Sequence, residues 1–160
     1  QVQKSETILE IGPGKGALTS VLLATGNPVV AVEKDERLVE ELRITFAKEM
    51  ATGQLTLVEQ DIRDFDPGSL TAGYKLAANI PYYITGEIIR QFLEATHQPR
   101  AAALLIQKEV AERIVARDGK ESILSLSVKA YGTPKYIKTV PAGAFAPRIR
   151  RVDACARRSG

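Results

Sequence analysis

The stretch "TILEIGPGKGAL", residues 7–18, decides the fold. A β-branched apolar run ends in glycines at alternate positions, Gly12, Gly14 and Gly16, and a helical pattern follows from about Lys15 to Ala24. That is a strand, a tight turn and a helix, the opening of a βαβ unit. Glycines let the backbone turn sharply and approach a ligand, and the helix start offers free amides. Outward from this unit the alternation repeats. "PVVAVE" (28–33), "QLTLVEQD" (54–61), "YKLAAN" (74–79), "AAALLIQ" (101–107) and "KYIKTVP" (135–141) read as further strands. Between them lie helical patterns. In "DERLVEELRITFAKEM", Leu38, Leu42 and Phe46 recur every four residues behind Asp35, a plausible N-cap. A helix is expected from about Thr85 to Ala95, and "KEVAERIVAR" is amphipathic. "SILSLSVKAYG" favours a helix over a strand. The expected fold is α/β, a doubly wound and mostly parallel sheet, whose ligands bind outside the carboxyl ends of the strands.

At 160 residues, with 44% apolar and 26% charged side chains, the chain has one domain's worth of ordinary globular sequence. No apolar run approaches the ~20 residues of a membrane span, and the first residues lack a signal-peptide pattern. The lone Cys155 excludes an internal disulfide and suits a reducing cytosol. His97 is the only histidine and is expected in an exposed loop; no cluster of His and acid has ligand spacing, so no metal is expected. The net charge of +3 is uneven. Five arginines against Asp153 follow Phe145, a charge of +4 that leaves about −1 on the rest, so the basic balance does not itself argue for nucleic acid.

Three consecutive strand ends carry chemistry. The glycine turn alone also fits G-x-G-x-x-A, the dinucleotide fingerprint, or a turn with no ligand at all. Glu33 ends the second strand, where a carboxylate can accept two hydrogen bonds from a ribose, in NAD or S-adenosylmethionine alike; a helix-initiating acid beside Lys34 and Asp35 is the plainer alternative. Asp61 ends the third, placed to accept from an adenine amine, with Ile62 beside it to pack on the ring. Together the three describe a nucleoside pocket.

The fourth strand ends in "NIPYYIT". A nucleobase amine is a poor nucleophile because its lone pair is delocalised into the ring. Methylating it calls for acceptors that hold the amine, which the Asn79 side chain and the Ile80 carbonyl can supply. Pro81 fixes the turn, and Tyr82 is placed to stack on an extruded base. An Asn-Pro turn with Tyr82 in the core is the alternative.

The combined set resembles the small-subunit ribosomal RNA adenine N6-dimethyltransferases, together with their relatives the macrolide-resistance methyltransferases. "EIGPGKGALT", "VVAVEKD", "EQDIRDF", "NIPYYIT", "QKEVAERI" and "TVPAGAFAP" carry it, in the family's order, from about Ile8 to Pro147. The resemblance implies a Rossmann-like class I methyltransferase domain over residues 1–147 that uses S-adenosylmethionine. On it, Glu10, Gly12, Gly14 and Gly16 line the methionine side, Glu33 holds the ribose, Asp61 with Ile62 holds the cofactor's adenine, and Lys34 is a further cofactor-binding residue. Asn79, Ile80, Pro81 and Tyr82 hold the target adenine, Asn79 also bordering the cofactor, and Phe145 covers the base's other face. Gln107, Glu109 and Arg113 match a segment beside the site. The implied substrate is two adjacent adenosines of small-subunit rRNA in a pre-ribosomal particle, each dimethylated by a cytoplasmic monomer.

The match departs at both ends. The family's N-terminal Gln-(Asn/His)-Phe-Leu segment and its helical C-terminal domain are expected to be absent from this stretch. After "FAP" the family has Pro-Lys-Val-Asp-Ser-Ala and an apolar strand, whereas here "RIRRVDACARRSG" has Ile149 at a proline position and one extra residue before Val152. Residues 148–160 are therefore expected to form a basic tail outside the sheet. Three alternatives follow. A large-subunit adenine methyltransferase shares the pocket motifs. A nicotinamide-dependent oxidoreductase would use Gly12, Gly14 and Glu33 but leaves Asp61 and Asn79 unexplained. An inactive RNA-binding module would keep the fold without turnover.

Overall fold

β1 (Ile8–Ile11) is buried at all four positions, as befits a central strand covered on both faces. A computed structural model describes residues 6–80, 82–116, 118–141 and 153–159. β1 pairs in parallel with β2 (Val29–Glu33) on one side and β4 (Lys75–Asn79) on the other. Beyond them lie β3 (Leu55–Glu59) and β5 (Ala101–Gln107), also parallel. With β6 (Thr133–Val140) and β7 (Asp153–Ser159) the sheet has seven strands in the order β3-β2-β1-β4-β5-β7-β6. The order reverses direction at β1/β4, which is where a doubly wound sheet opens its crevice.

The helices are α1 (Ala17–Leu23), α2 (Glu36–Thr45), α3 (Ala47–Ala51), α4 (Thr85–Glu94), α5 (Lys108–Val115) and α6 (Ile123–Tyr131). Strand side chains alternate between two cores. Leu9 and Ile11 of β1, with Leu76 and Ala78 of β4, join Ile88, Phe92 and Ile114 on one face. Ile8 and Ala77 face the other way, toward Leu23, Leu42 and Phe46. Glu10 falls by the same alternation on the second face, above α1.

Three expectations are corrected. The buried face of α2 is Val39, Leu42 and Phe46, with Leu38 half-buried. The helix breaks at Phe46 (φ −113°, ψ 27°), whose ring packs under the glycine turn. His97 is half-buried, not exposed: its Nδ1 lies 2.7 Å from the Leu70 carbonyl and pins the 3-10 turn Pro67–Ser69 to the end of α4. Residues 153–159 do not form a tail outside the sheet. They are β7, antiparallel between β5 and β6. Main-chain ladders are indifferent to side-chain type; at Arg157 and Arg158 the β5 partners are Ala103 and Ala102, so small residues stand in register with the large ones. α6 resolves the one ambiguous segment as a helix, because Ser122 and Ser125 form a reciprocal capping box.

Candidate active site

Main-chain hydrogen bonds just past the strands tie the ends of β1, β2 and β3 to one another, and those of β4 and β5. Gly12 N–H donates to Val32 O (3.0 Å), Gln60 N–H to Glu33 O (2.9 Å) and Ile80 N–H to Leu105 O (3.1 Å). Gly12, Glu33, Asp61 and Asn79 lie at or just past the ends of β1, β2, β3 and β4. Pro81 and Phe145, and the side chain of Tyr82, lie outside the described residues.

Glu33 ends β2 and is 8% exposed. Three main-chain amides fix its carboxylate: Lys34 N–H (2.9 Å) and Asp35 N–H (3.1 Å) donate to Oε1, and Gly14 N–H (3.2 Å) to Oε2. The helix-initiating role belongs to Asp35, which caps α2 by accepting from Arg37 N–H. The glycine turn is thus tied to the end of β2 before any ligand is considered. Gly14 needs its φ of +58° and has nothing within 4 Å of where a Cβ would sit, so a ligand can approach there. Gly16 is glycine for another reason: at φ +80° a Cβ would lie 2.5 Å from Phe46 Cε2.

Glu10 lies beneath this turn, 1% exposed. Neither of its oxygens, nor the Thr19 hydroxyl, meets a well-formed hydrogen bond. Burial pushes its carboxyl up to about 7; the nearby Thr19 hydroxyl opposes the shift and the charge of Glu33 adds to it.

Asp61 follows β3 and caps the 3-10 turn Ile62–Asp64 by accepting from Arg63 N–H (3.0 Å). The Arg63 guanidinium also grips it in a fork, Nε to Oδ1 at 3.0 Å and Nη2 to Oδ2 at 2.7 Å. Arg63 holds the carboxyl well below the usual range, with Lys34 adding a longer attraction at 3.9 Å. A carboxylate has about four acceptor sites, so this grip orients Asp61 and leaves capacity for a further donor. Between Glu33 and Asp61 opens a cleft of about 90 Å³, lined by Gly12, Lys34, Ile62, Arg63, Tyr83 and Ile84 among others. Ile62 is 7% exposed and forms part of its wall.

Asn79 is the last residue of β4, exposed at the strand end. Its carbonyl oxygen lies 3.6 Å from the place a Cβ on Gly12 would take, so the glycine turn and the end of β4 are in close approach. Ile80 is buried, and the chain continues through the 3-10 turn Tyr82–Ile84 into α4. In "QKEVAERI", Gln107 ends β5, while Glu109 and Arg113 ride on α5.

The sequence offered no sign of Gln91, whose partners lie 26–29 residues earlier in the chain. Arg63, two residues past Asp61, was legible only as a charge.

The ribosomal RNA adenine dimethylase family model matches residues 1–154. The chain belongs to that family. Among curated relatives, the ribosomal RNA small subunit methyltransferase A of Dehalococcoides mccartyi (strain CBDB1) is 42% identical over 149 residues, which are 91% of this chain and 50% of the relative. That of Deinococcus radiodurans is 43% identical over 144 residues, 89% and 48%. The chain thus spans about half the length of these relatives. Among solved structures, the 23S rRNA methyltransferase ErmE superposes with a TM-score of 0.86 at 25% identity, covering all of this chain and 64% of that one. A dimethyladenosine transferase from Plasmodium falciparum gives 0.86 at 26%, covering 99% and 57%. The family member's sheet is accordingly the Rossmann-like class I methyltransferase sheet.

Proposed function

We propose that this chain is the catalytic domain, residues 1–147 with β7 completing its sheet, of an S-adenosylmethionine-dependent adenine N6-dimethyltransferase of small-subunit rRNA. One observation carries the choice of cofactor. The glycine turn is tied to the buried carboxylate of Glu33, on which the Gly14 amide is spent, and a second buried acid, Glu10, has its carboxyl pushed up to about 7. A pyrophosphate seeks free turn amides and a positive field. Here it would meet negative charge and an occupied donor, whereas a ligand bearing an ammonium and a sulfonium finds complementary charge. That weighs against the nicotinamide alternative.

On this reading Glu10 and the main chain at Gly12 and Gly14 take the methionine end, with Gly16 shaping the turn. Glu33, prefixed by three amides, accepts from the ribose hydroxyls, and Lys34, Asp61 and Ile62 bound the adenine. The cofactor supplies an electrophilic methyl group. Asn79 Oδ1 and the Ile80 carbonyl accept the two N–H bonds of the target amine, aligning its nitrogen lone pair for attack. The nitrogen gains the methyl and then loses one proton to water, so no strong base is required. Catalysis rests on alignment and on the polar environment. Pro81, Tyr82 and Phe145 would enclose the target base. The substrate we infer is a pair of adjacent adenosines in a pre-ribosomal particle, modified by a cytoplasmic monomer. The names of the small-subunit relatives and their 42–43% identity support the small-subunit choice.

Thermal melting with S-adenosylmethionine, with NAD and with neither tests the cofactor. A ligand at a hundred times its dissociation constant adds about 2.7 kcal/mol, or roughly 5–10 °C for a domain of this size. The shift is expected with S-adenosylmethionine only, and lost in Glu33→Ala; a shift with NAD alone would sink the proposal. Methyl transfer from labelled cofactor to small-subunit particles, large-subunit particles and free RNA then tests the substrate, with Asn79→Ala as the inactive control.

A further inference from the structure

Gln91 sits on the second turn of α4, between residues that face the core: Ile88, Ile89, Phe92 and Leu93 are all buried. Its amide Nε2 points at the loop after β3, 2.9 Å from Ile62 O and 2.8 Å from Phe65 O, with Arg63 O at 3.4 Å. Three carbonyls converging on one atom fix which end of the amide is nitrogen, since an oxygen there would face only acceptors. The other end, Oε1, is buried with no hydrogen-bond partner among the described residues. A buried acceptor left unpaired is a standing cost. Gln91 is half-buried, and its amide directs its donors to the loop after β3.

That loop carries Asp61 and Ile62, one wall of the cleft. Its internal hydrogen bonds are short-range, Arg63 N–H to Asp61 and Phe65 N–H to Ile62 O at 3.2 Å, while Ile62 and Phe65 pack into the core and Lys34 lies 3.9 Å from Asp61. Tyr83 and Ile84, also in the lining, lead directly into α4. Gln91 is therefore a staple between two parts of the lining that are neighbours in space but about twenty residues apart in sequence.

We propose that Gln91 is a positioning residue, holding the Ile62–Phe65 carbonyls so that the cofactor-adenine wall and the target-base loop keep one spacing. This rests on the cofactor reading above. Whatever moves the Asn79-to-Ile84 loop then moves the adenine wall through α4, and occupancy of one side biases the other.

The test compares Gln91→Met, which keeps the length and loses the donor, with Gln91→Lys, which keeps a donor able to reach the carbonyls. Phe92→Leu serves as a control that perturbs the same helix from the core side. S-adenosylmethionine affinity is measured by titration calorimetry, stability by melting, and amide hydrogen exchange is followed at residues 62–65 and 82–84. Gln91→Met is expected to bind about tenfold more weakly, the equivalent of ~1.4 kcal/mol. Exchange should quicken in both segments, and Gln91→Lys should recover most of each effect. Phe92→Leu should lower the melting temperature and leave the affinity within twofold. If Gln91→Met only lowers the melting temperature, or exchange quickens at 62–65 alone, the coupling is overturned. Failure of the unsubstituted chain to bind S-adenosylmethionine while Gln91→Met still quickens both segments would overturn the cofactor reading and leave the staple standing.

Discussion

Replacing Glu10 by glutamine should abolish a pH dependence of stability that the fold builds in. Glu10 is 1% exposed, and its carboxyl titrates near 7 in the folded chain against an ordinary value of 4.5. The shift is upward, so the native state binds the proton more tightly than the unfolded chain does. Below about pH 4.5 both states hold it and the contribution is fully present. Between pH 4.5 and 7 the unfolded chain has lost a proton the native state keeps, and stability falls with a slope approaching 1.4 kcal/mol per pH unit. A shift of about 2.5 units amounts to about 3 kcal/mol, lost by pH 8. Glutamine has the same shape and no charge to bury, so Glu10→Gln should match the unsubstituted chain near pH 5 and exceed it by about 3 kcal/mol at pH 8. Urea unfolding of both proteins at pH 5, 6, 7 and 8 measures this, because groups common to both cancel in the difference. Asp61, held far down by Arg63, titrates below that window. Two parallel stability curves would refute the reasoning, since they would mean that Glu10 ionises in the folded chain as it does in the unfolded one.

Gly16→Ala should cost about 2–4 kcal/mol, combining a left-handed backbone with a Cβ driven into the Phe46 ring, and Phe46→Leu should relieve part of it in a double-mutant cycle. Gly14→Ala meets open space and carries the backbone strain alone, so denaturant melts should show a loss nearer 1 kcal/mol. Ser122→Ala removes the capping box of α6 and should lower stability by ~1 kcal/mol without altering cofactor affinity by calorimetry. Phe92→Ala, at 2% exposure in the larger core, should cost about 3–5 kcal/mol and leave the chain marginally folded at 37 °C.

The sequence by itself determined the alternation of strands and helices, the glycine turn and the identity of the residues at four strand ends. These are local properties: a period of two or near four, a glycine where φ must be positive, an acid or amide where a strand stops. The segment of α6 favoured a helix, and the capping box of Ser122 and Ser125 settled it. What only the tertiary structure decided involves partners far apart in the chain. Glu33 looked like a helix-starting acid or a ribose acceptor, and its hold on Gly14, nineteen residues away, joins the glycine turn to the end of β2. Gly16 looked like one more ligand-lining glycine until Phe46, thirty residues on, proved to occupy its missing side chain. Gln91 was one polar letter in an amphipathic helix. β7 was misjudged because side-chain pattern argued against it, whereas two antiparallel ladders of main-chain hydrogen bonds, which no single segment encodes, decided its place. Sequence pattern records what each segment prefers alone; which buried carboxylate faces which amide depends on the sheet that brings them together.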